Sequence, residues 1–201
     1  MKQADIFVES EGDCWFERNG DKPHEDPVTH CIAAHIRRRP NRVLEIGCSD
    51  GWRLEKIRDA YSCEIMGIEP SMAAGIAAAK RRVPVVLSTA SSLAVSGDFD
   101  LIIYGFCLYL TDPSDWLKIA AEGDRVLATG GHIIIHDFGG DLSVHGVPYV
   151  HDPRVTSWHY DWGNLWLAHP AYELIDRHWT TGDAHPDQQM ITILRKNELK
   201  P

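Results

Sequence analysis

The sequence predicts a doubly wound α/β fold with a mostly parallel sheet of seven strands and an antiparallel closing strand. Two observations carry this. Short apolar runs alternate with helical patterns from residue 27 to residue 138. The runs are continuous rather than alternating, as in parallel strands buried on both faces. A third observation, the pair of runs at 171–179 and 188–196, supplies an antiparallel close.

Asp26-Pro27 reads as an N-cap followed by proline at the first helical position, and Val28, Ile32 and Ile36 continue an apolar stripe to Pro40. RVLEIG (42–47) is the first strand, and Leu54 and Ile57 mark the next helix, from Trp52 to about Ala60. EIMGIE (64–69) is a second strand and SMAAGIAAAKRR (71–82) an alanine-rich helix. VPVVLS (83–88) and FDLIIYG (99–105) are further strands, followed by an amphipathic helix from Pro113 to Leu127. Gly130-Gly131 breaks that pattern before the strand HIIIHDF (132–138).

Residues 139–170 are rich in Gly, Pro, His and Trp and follow neither period. A long irregular stretch of this kind is expected to be functional, and Trp158, Tyr160, Trp162 and Trp166 argue for order. It reads as a substrate-side cap. The chain is thus expected to form one domain over 1–201. Its parts are an N-terminal helical cap (1–40), a ligand-binding core (41–138), the insertion (139–170) and closing strands (171–201).

The net charge of −9 argues against a nucleic-acid partner, since neutralising phosphates takes a basic surface. Arg37-Arg38-Arg39 and Lys80-Arg81-Arg82 each close an expected helix, where cations complement the dipole, a plainer reading than a phosphate patch. No run approaches the roughly 20 apolar residues of a membrane span. Acidic residues in MKQADIFVESEGD (1–13) fall where a secretory signal would have its apolar core. Five scattered cysteines without a C-x-x-C pair suggest reduced thiols in a cytoplasmic setting. Oligomeric state is not readable.

Glycines after the first strand, in V-L-E-I-G-C-S-D-G (43–51), let backbone N–H groups and a helix N-terminus approach a ligand. Glu69 ends the second strand, 24 residues after Glu45, where a carboxylate can accept both hydroxyls of a ribose. The plainer alternative is an exposed strand-end acid. The third strand end, Ser88 to Ser92, falls where a base edge can be read, and Tyr104-Gly105-Phe106 ends the fourth at the same edge.

These segments, with G-I-E-P-S (67–71), F-D-L-I-I-Y-G-F-C-L-Y-L-T-D (99–112) and R-V-L-A-T-G-G-H-I-I-I-H-D-F (125–138), resemble the ordered motifs of class I S-adenosylmethionine-dependent methyltransferases. The resemblance covers about residues 40–138 plus the closing strands and implies a Rossmann-like fold. E-G-D-C-W-F-E-R-N (11–19) and W-H-Y-D-W-G-N-L-W-L-A-H-P (158–170) also resemble a subgroup found with sugar and surface-polysaccharide biosynthesis.

The resemblance implies S-adenosyl-L-methionine as cofactor, S-adenosyl-L-homocysteine as product, and a small-molecule methyl acceptor. Glu45, Gly47, Cys48, Ser49 and Gly51 would line the methionine part and Glu69 would bind the ribose. Pro70, Ser71 and Met72 would lie beside the adenine, flanked by Ala90, Ser91 and Ser92, with Tyr104, Gly105 and Phe106 on the sulfonium side. Ser49 departs from the usual middle glycine, and Thr89 stands where an acid often meets the adenine amine. Arg18 could pair with the cofactor carboxylate, and Trp15 or Tyr104 could face the sulfonium.

Gly47-Cys48-Ser49-Asp50-Gly51 also spells the nucleophile elbow G-x-S-x-G. A hydrolase would place that elbow on its first strand and give Glu69 no task. A nicotinamide dehydrogenase needs a third glycine where Trp52 stands. A non-catalytic module binding the adenosyl cofactor is the remaining alternative. Eight of eleven histidines follow residue 130, but no H-x-x-x-H or H-E-x-x-H spacing falls in a helical context, since His132 and His136 lie in a strand, so no metal site is expected. For catalysis, His136 and Asp137 at a strand end and His159 and Tyr160 in the insertion are the candidates for a general base.

Overall fold

The computed structural model describes residues 1–20, 26–140, 144–180 and 188–199. Parts of the expected insertion (141–143) and of the link between the closing strands (181–187) lie outside the described residues. The chain opens with α1 (Gln3–Ile6), a π-helical turn (Phe7–Glu11), α2 (Gly12–Asn19) and α3 (Pro27–His35). Then come β1 (Arg42–Ile46), α4 (Trp52–Tyr61), β2 (Glu64–Glu69), α5 (Met72–Lys80), β3 (Val85–Leu87) and β4 (Phe99–Gly105). α6 (Trp116–Val126) leads to β5 (Leu127–Phe138). β6 (His145–Pro148), β7 (Thr156–His159) and α7 (Asn164–Leu167) precede β8 (Tyr172–Trp179) and β9 (Gln189–Lys196).

Seven strands form one sheet in the order β3-β2-β1-β4-β5-β9-β8. β1 to β5 pair in parallel, and β9 enters between β5 and β8, antiparallel to both. The strand order reverses between β1 and β4, which opens a crevice beyond their carboxyl ends. Alternation along the strands sorts the core into two faces. Leu44, Ile46, Ile102, Tyr104, Ile133 and Ile135 pack on one, and Val43, Leu101, Ile103, Ile134, Ile191 and Ile193 on the other.

Local signals are realised at the helix starts. Asp26 accepts from Thr29 N at 3.3 Å with Pro27 at the first helical position, and Ser71 Oγ accepts from Ala74 N at 3.0 Å. Gly51 begins α4 at φ +73°, and a Cβ there would lie 2.8 Å from the Val83 side chain.

Three expectations are corrected. Gly130-Gly131 does not end a helix before a strand; α6 stops at Val126 and β5 already runs through the pair. Gly130 takes φ +84° and the β4–β5 register shifts between Phe99 and Leu101, so the glycines absorb an irregularity rather than end an element. β3 is three residues long rather than six. Arg37 to Arg39 do not sit on a helix end, because α3 stops at His35 and Ile36 is extended (φ −99°, ψ 97°). Within the insertion, Trp162 and Trp166 are buried in the core, in keeping with the order expected of this stretch.

The N-terminal helices are anchored. The Gln3 amide nitrogen donates to Leu110 O at 2.8 Å, its oxygen accepts from Thr156 N at 2.6 Å, and Asp13 accepts from Ser71 Oγ and Ala73 N.

Candidate active site

The carboxyl ends of β1, β2 and β4 and the segment after β3 open into one cleft. Gly47, Ser49, Glu69, Pro70, Ala90, Ser91, Gly105 and Phe106 stand on its wall, all at positions singled out in the sequence. Ala4, Phe7, Gly12 and Trp15 close it from the N-terminal helices. Of these four the sequence had pointed only to Trp15, because a contact between a terminal helix and a distant strand edge leaves no local pattern.

A second recess meets the first at Trp15, Gly47, Ser49, Gly105 and Phe106. It continues past Asp26, Glu45, Trp52, Arg53 and His136. Two glycines keep this junction open: Gly47 sits at φ +74°, and a Cβ there would lie 2.7 Å from Cys107 Cβ. At Gly105 a Cβ would lie 2.7 Å from Arg53 Nη1.

Glu69 is 8% exposed. Its Oε2 accepts from Ser49 N at 2.8 Å and its Oε1 from Ser71 N at 3.0 Å. Burial pushes its carboxyl up to about 7, against the pull of those two N–H groups. Ser49, standing where a glycine was expected, takes the left-handed φ of +50° itself and thereby aims its N–H at Glu69. Glu45 bonds Arg53 through Oε1, and Arg53 Nε also reaches Asp26 Oδ1 at 3.3 Å. Burial raises Glu45 to about 7 despite the Arg53 charge, and its Oε2 is buried with no partner among the described residues.

Other expected residues lie behind the walls. Cys48 lines only the second recess; its buried thiol is raised well above its usual value, which keeps it protonated. Gly51 and Ser71 are buried under the helix starts they cap, while Met72 and Ser92 are exposed outside the cleft. Tyr104 is corrected: its ring is fully buried in the apolar layer beneath the cleft, 5.1 Å from the Trp166 ring, and lines neither recess. Arg18 is corrected too, since it pairs with Glu11 and donates to the Tyr149 hydroxyl at 3.2 Å, away from both recesses.

Of the four catalytic candidates, His136 alone lines a recess. It is 3% exposed, and its ring meets Phe106 edge-on at 4.5 Å. Burial and the Arg53 charge pull its pKa down to about 4, against the opposing influence of nearby Gln189 and the charge of Asp26. The imidazole is therefore neutral near pH 7. Its folded pKa lies below the unfolded ~6.5, so the unfolded chain takes up the proton first and stability is lost as pH falls from ~6.5 toward 4. Between about pH 7.5 and 5.5 this residue should cost about 1 kcal/mol. Urea unfolding of His136→Gln should lack that loss; equal losses in both proteins would refute the buried neutral imidazole.

Asp137 is corrected. It is fully buried, and its oxygens accept from Cys107 N (3.1 Å), Leu108 N (2.8 Å) and Phe138 N (2.8 Å). It ties the turn after β4 to the end of β5 and has no path to a substrate. An asparagine in its place would offer one oxygen where two now accept, so Asp137→Asn should lose about 2 kcal/mol of stability, read by denaturant unfolding; unchanged stability with abolished turnover would restore a catalytic role. His159 stacks on Phe138 at 5.3 Å and Tyr160 on Trp116 at 5.7 Å, so neither lines a recess. Among the described residues no group of three or more His, Cys, Asp or Glu is arranged to hold a metal, and no helix is long and apolar enough to cross a membrane.

Residues 43–131 match a family model described as a methyltransferase domain. No curated protein matches the sequence. Among solved structures, 1,6-didemethyltoxoflavin-N1-methyltransferase from Burkholderia thailandensis, with 1,6-didemethyltoxoflavin and S-adenosylhomocysteine bound, superposes with a TM-score of 0.70 at 18% identity, over 98% of this chain and 87% of that one. The N-methyltransferase NodS from Bradyrhizobium japonicum, in complex with S-adenosylhomocysteine, gives 0.67 at 17% identity over 93% and 99%. An O-methyltransferase from a polyketide multienzyme of Brevibacillus brevis, also with S-adenosylhomocysteine, gives 0.66 at 12% over 84% and 71%. The chain has the Rossmann-like fold of these S-adenosylmethionine-dependent methyltransferases, and its residues 43–131 resemble a methyltransferase domain. That fold sets aside the hydrolase reading of Ser49, since β1 opens the sheet with no earlier strand ahead of the turn among the described residues.

Proposed function

We propose that this chain is an S-adenosylmethionine-dependent methyltransferase acting on a small-molecule acceptor. The observation that carries the reading is Glu69. Its carboxylate ends β2 inside the cleft, beside the Gly47 turn and on the same wall as Ser88 to Ser91. Two oxygens already aligned by Ser49 and Ser71 suit the paired hydroxyls of a ribose. Ile46, Ile68, Leu110 and Ile119 supply an apolar bed for the adenine. The unpartnered Glu45 Oε2 suits the ammonium of the methionine part, and the bare backbone at Gly47 and Gly105 leaves room for it. The residues present thus fit the cofactor.

When bound, that cofactor supplies a methyl group already activated by a sulfonium. The chain has then to align an acceptor and exclude water, which by proximity alone is worth several kcal/mol. Phe7 and Trp15 cover the cleft, and Trp15 and Phe106 at the junction present aromatic faces suited to a cation. His136, neutral and weakly basic, suits accepting a hydrogen bond from the acceptor's N–H or O–H rather than storing its proton. The likeness to N- and O-methyltransferases supports a heteroatom acceptor, and the sugar-associated segments place a sugar on the panel to be tried. The five free cysteines support a cytoplasmic setting.

Calorimetry with S-adenosylhomocysteine and S-adenosylmethionine, followed by methyl transfer to sugars, amines and nitrogen heterocycles, tests the reading. Saturable binding with turnover of one class supports it. A folded chain that binds neither ligand overturns it, and binding with no turnover would favour the non-catalytic module.

A further inference from the structure

The sheet has a second cleft at its opposite edge, beyond the amino ends of β1, β4 and β5. Its wall carries Arg37, Arg38, Arg39 and Arg195, together with Gly130 and His132. The methyltransferase reading gives these residues no task, and they share no wall with the adenosyl cleft.

Their charge is unusual for this chain, in which 29 acidic residues outnumber 20 basic ones. Most other described arginines are neutralised: Arg53 by Glu45 and Asp26, Arg81 by Asp50 and Glu55, Arg177 by Asp161. Among the described residues, no carboxylate pairs with Arg37, Arg38, Arg39 or Arg195. The helix dipole does not account for the run either, because α3 has ended at His35 before it begins. Arg195 reaches the same wall from another element, through its register with His132 across the β5–β9 ladder. Asp100 is the carboxylate on the wall, and its Oδ2 already accepts from Asn41 N at 2.8 Å and Arg42 N at 3.0 Å. Gly130 leaves its backbone bare, with nothing within 4 Å of where a Cβ would stand.

We propose that this cleft binds an anion carrying a chain of phosphates. Four guanidiniums from two separate segments face one carboxylate, so a single charge would leave most of them unmatched. Arginine forks pair bidentately with phosphate oxygens, and a di- or triphosphate offers several in a compact row. The bare backbone at Gly130 adds room for close approach. The ligand is either a free polyphosphate or the phosphate end of a nucleotide; both present the same chemistry to the arginines.

The test is calorimetry of the full chain with sodium tripolyphosphate, ATP and orthophosphate at about 50 mM salt, where screening is modest. Tripolyphosphate should bind saturably, and more tightly than orthophosphate. Arg37→Gln/Arg39→Gln should weaken it at least ~10-fold, and Arg195→Gln by a few-fold. All these side chains are exposed, so the variants should fold. Lys80→Gln/Arg82→Gln, in the other basic run, should leave binding unchanged. Equal affinity for ATP and tripolyphosphate assigns recognition to the phosphates; tighter ATP adds a contact to the nucleoside. S-adenosylhomocysteine affinity should be the same in every variant, which keeps this test independent of the methyltransferase reading. The proposal is overturned if the parent chain binds no tripolyphosphate, or binds it equally after the arginines are removed. It is also overturned if an oligonucleotide binds there while tripolyphosphate does not.

Discussion

Glu69→Ala should bind S-adenosylhomocysteine at least ~10-fold more weakly than the parent chain while still unfolding cooperatively. A hydrogen bond to a charged group contributes ~1.5–3 kcal/mol, so loss of one ribose contact is worth ~10- to 150-fold in affinity. Loss of both hydroxyls exceeds that. Glu69 also fixes the N–H groups of Ser49 and Ser71, so Glu69→Gln, which keeps one acceptor, should fall between the parent and the alanine variant. The pH dependence identifies the group. Only the ionised carboxylate accepts from both hydroxyls, and burial places its ionisation at about 7. Affinity should therefore rise with pH, by up to ~10-fold between about pH 6 and 8. Methylthioadenosine, which keeps the ribose and lacks the amino acid that Glu45 would face, separates the two carboxylates. A pH-independent affinity in the parent, or an alanine variant that binds as tightly, would remove the ribose assignment.

Strand positions were legible because a parallel strand buried on both faces leaves a continuous apolar run, as in RVLEI and DLIIY. The ligand edge followed from topology, since the order of strands decides which carboxyl ends adjoin. Gly47, Ser49, Glu69, Ala90, Ser91, Gly105 and Phe106 were found in this way. Side-chain direction was the weaker link. Tyr104 and Asp137 each sit one residue from a position that lines the second recess, Gly105 and His136, and strand alternation turns both away from it. Counting that alternation from Leu44 and Ile102 would have placed Tyr104 in the core. The Gly130-Gly131 pair misled for a different reason: glycines punctuate local structure, but a sheet can carry its strand through them on neighbouring hydrogen bonds. The closure of the cleft by Phe7 and Gly12 is a long-range contact and leaves no periodicity to read.

The aromatic insertion shows the limit most clearly, because composition alone does not separate a substrate cap from a core. The structure separates them at Trp162, which is 1% exposed and meets Trp116 edge-on at 5.1 Å. Its Nε1 donates to Phe138 O at 3.0 Å, joining the insertion to the end of β5. Trp162→Ala should therefore lose ~3–5 kcal/mol, the usual cost of emptying a buried aromatic site, and leave the Phe138 carbonyl without its donor. In a chain of this size that corresponds to a fall of roughly 10 °C in Tm. Trp162→Phe, which refills most of the volume and omits the donor, should recover more than half of the loss. Calorimetric unfolding gives both numbers. A cap residue would behave otherwise: the alanine variant would keep its Tm and show a raised KM for the acceptor. An unchanged Tm would mean that Trp162 belongs to a substrate surface and that the insertion acts as the cap its composition suggests.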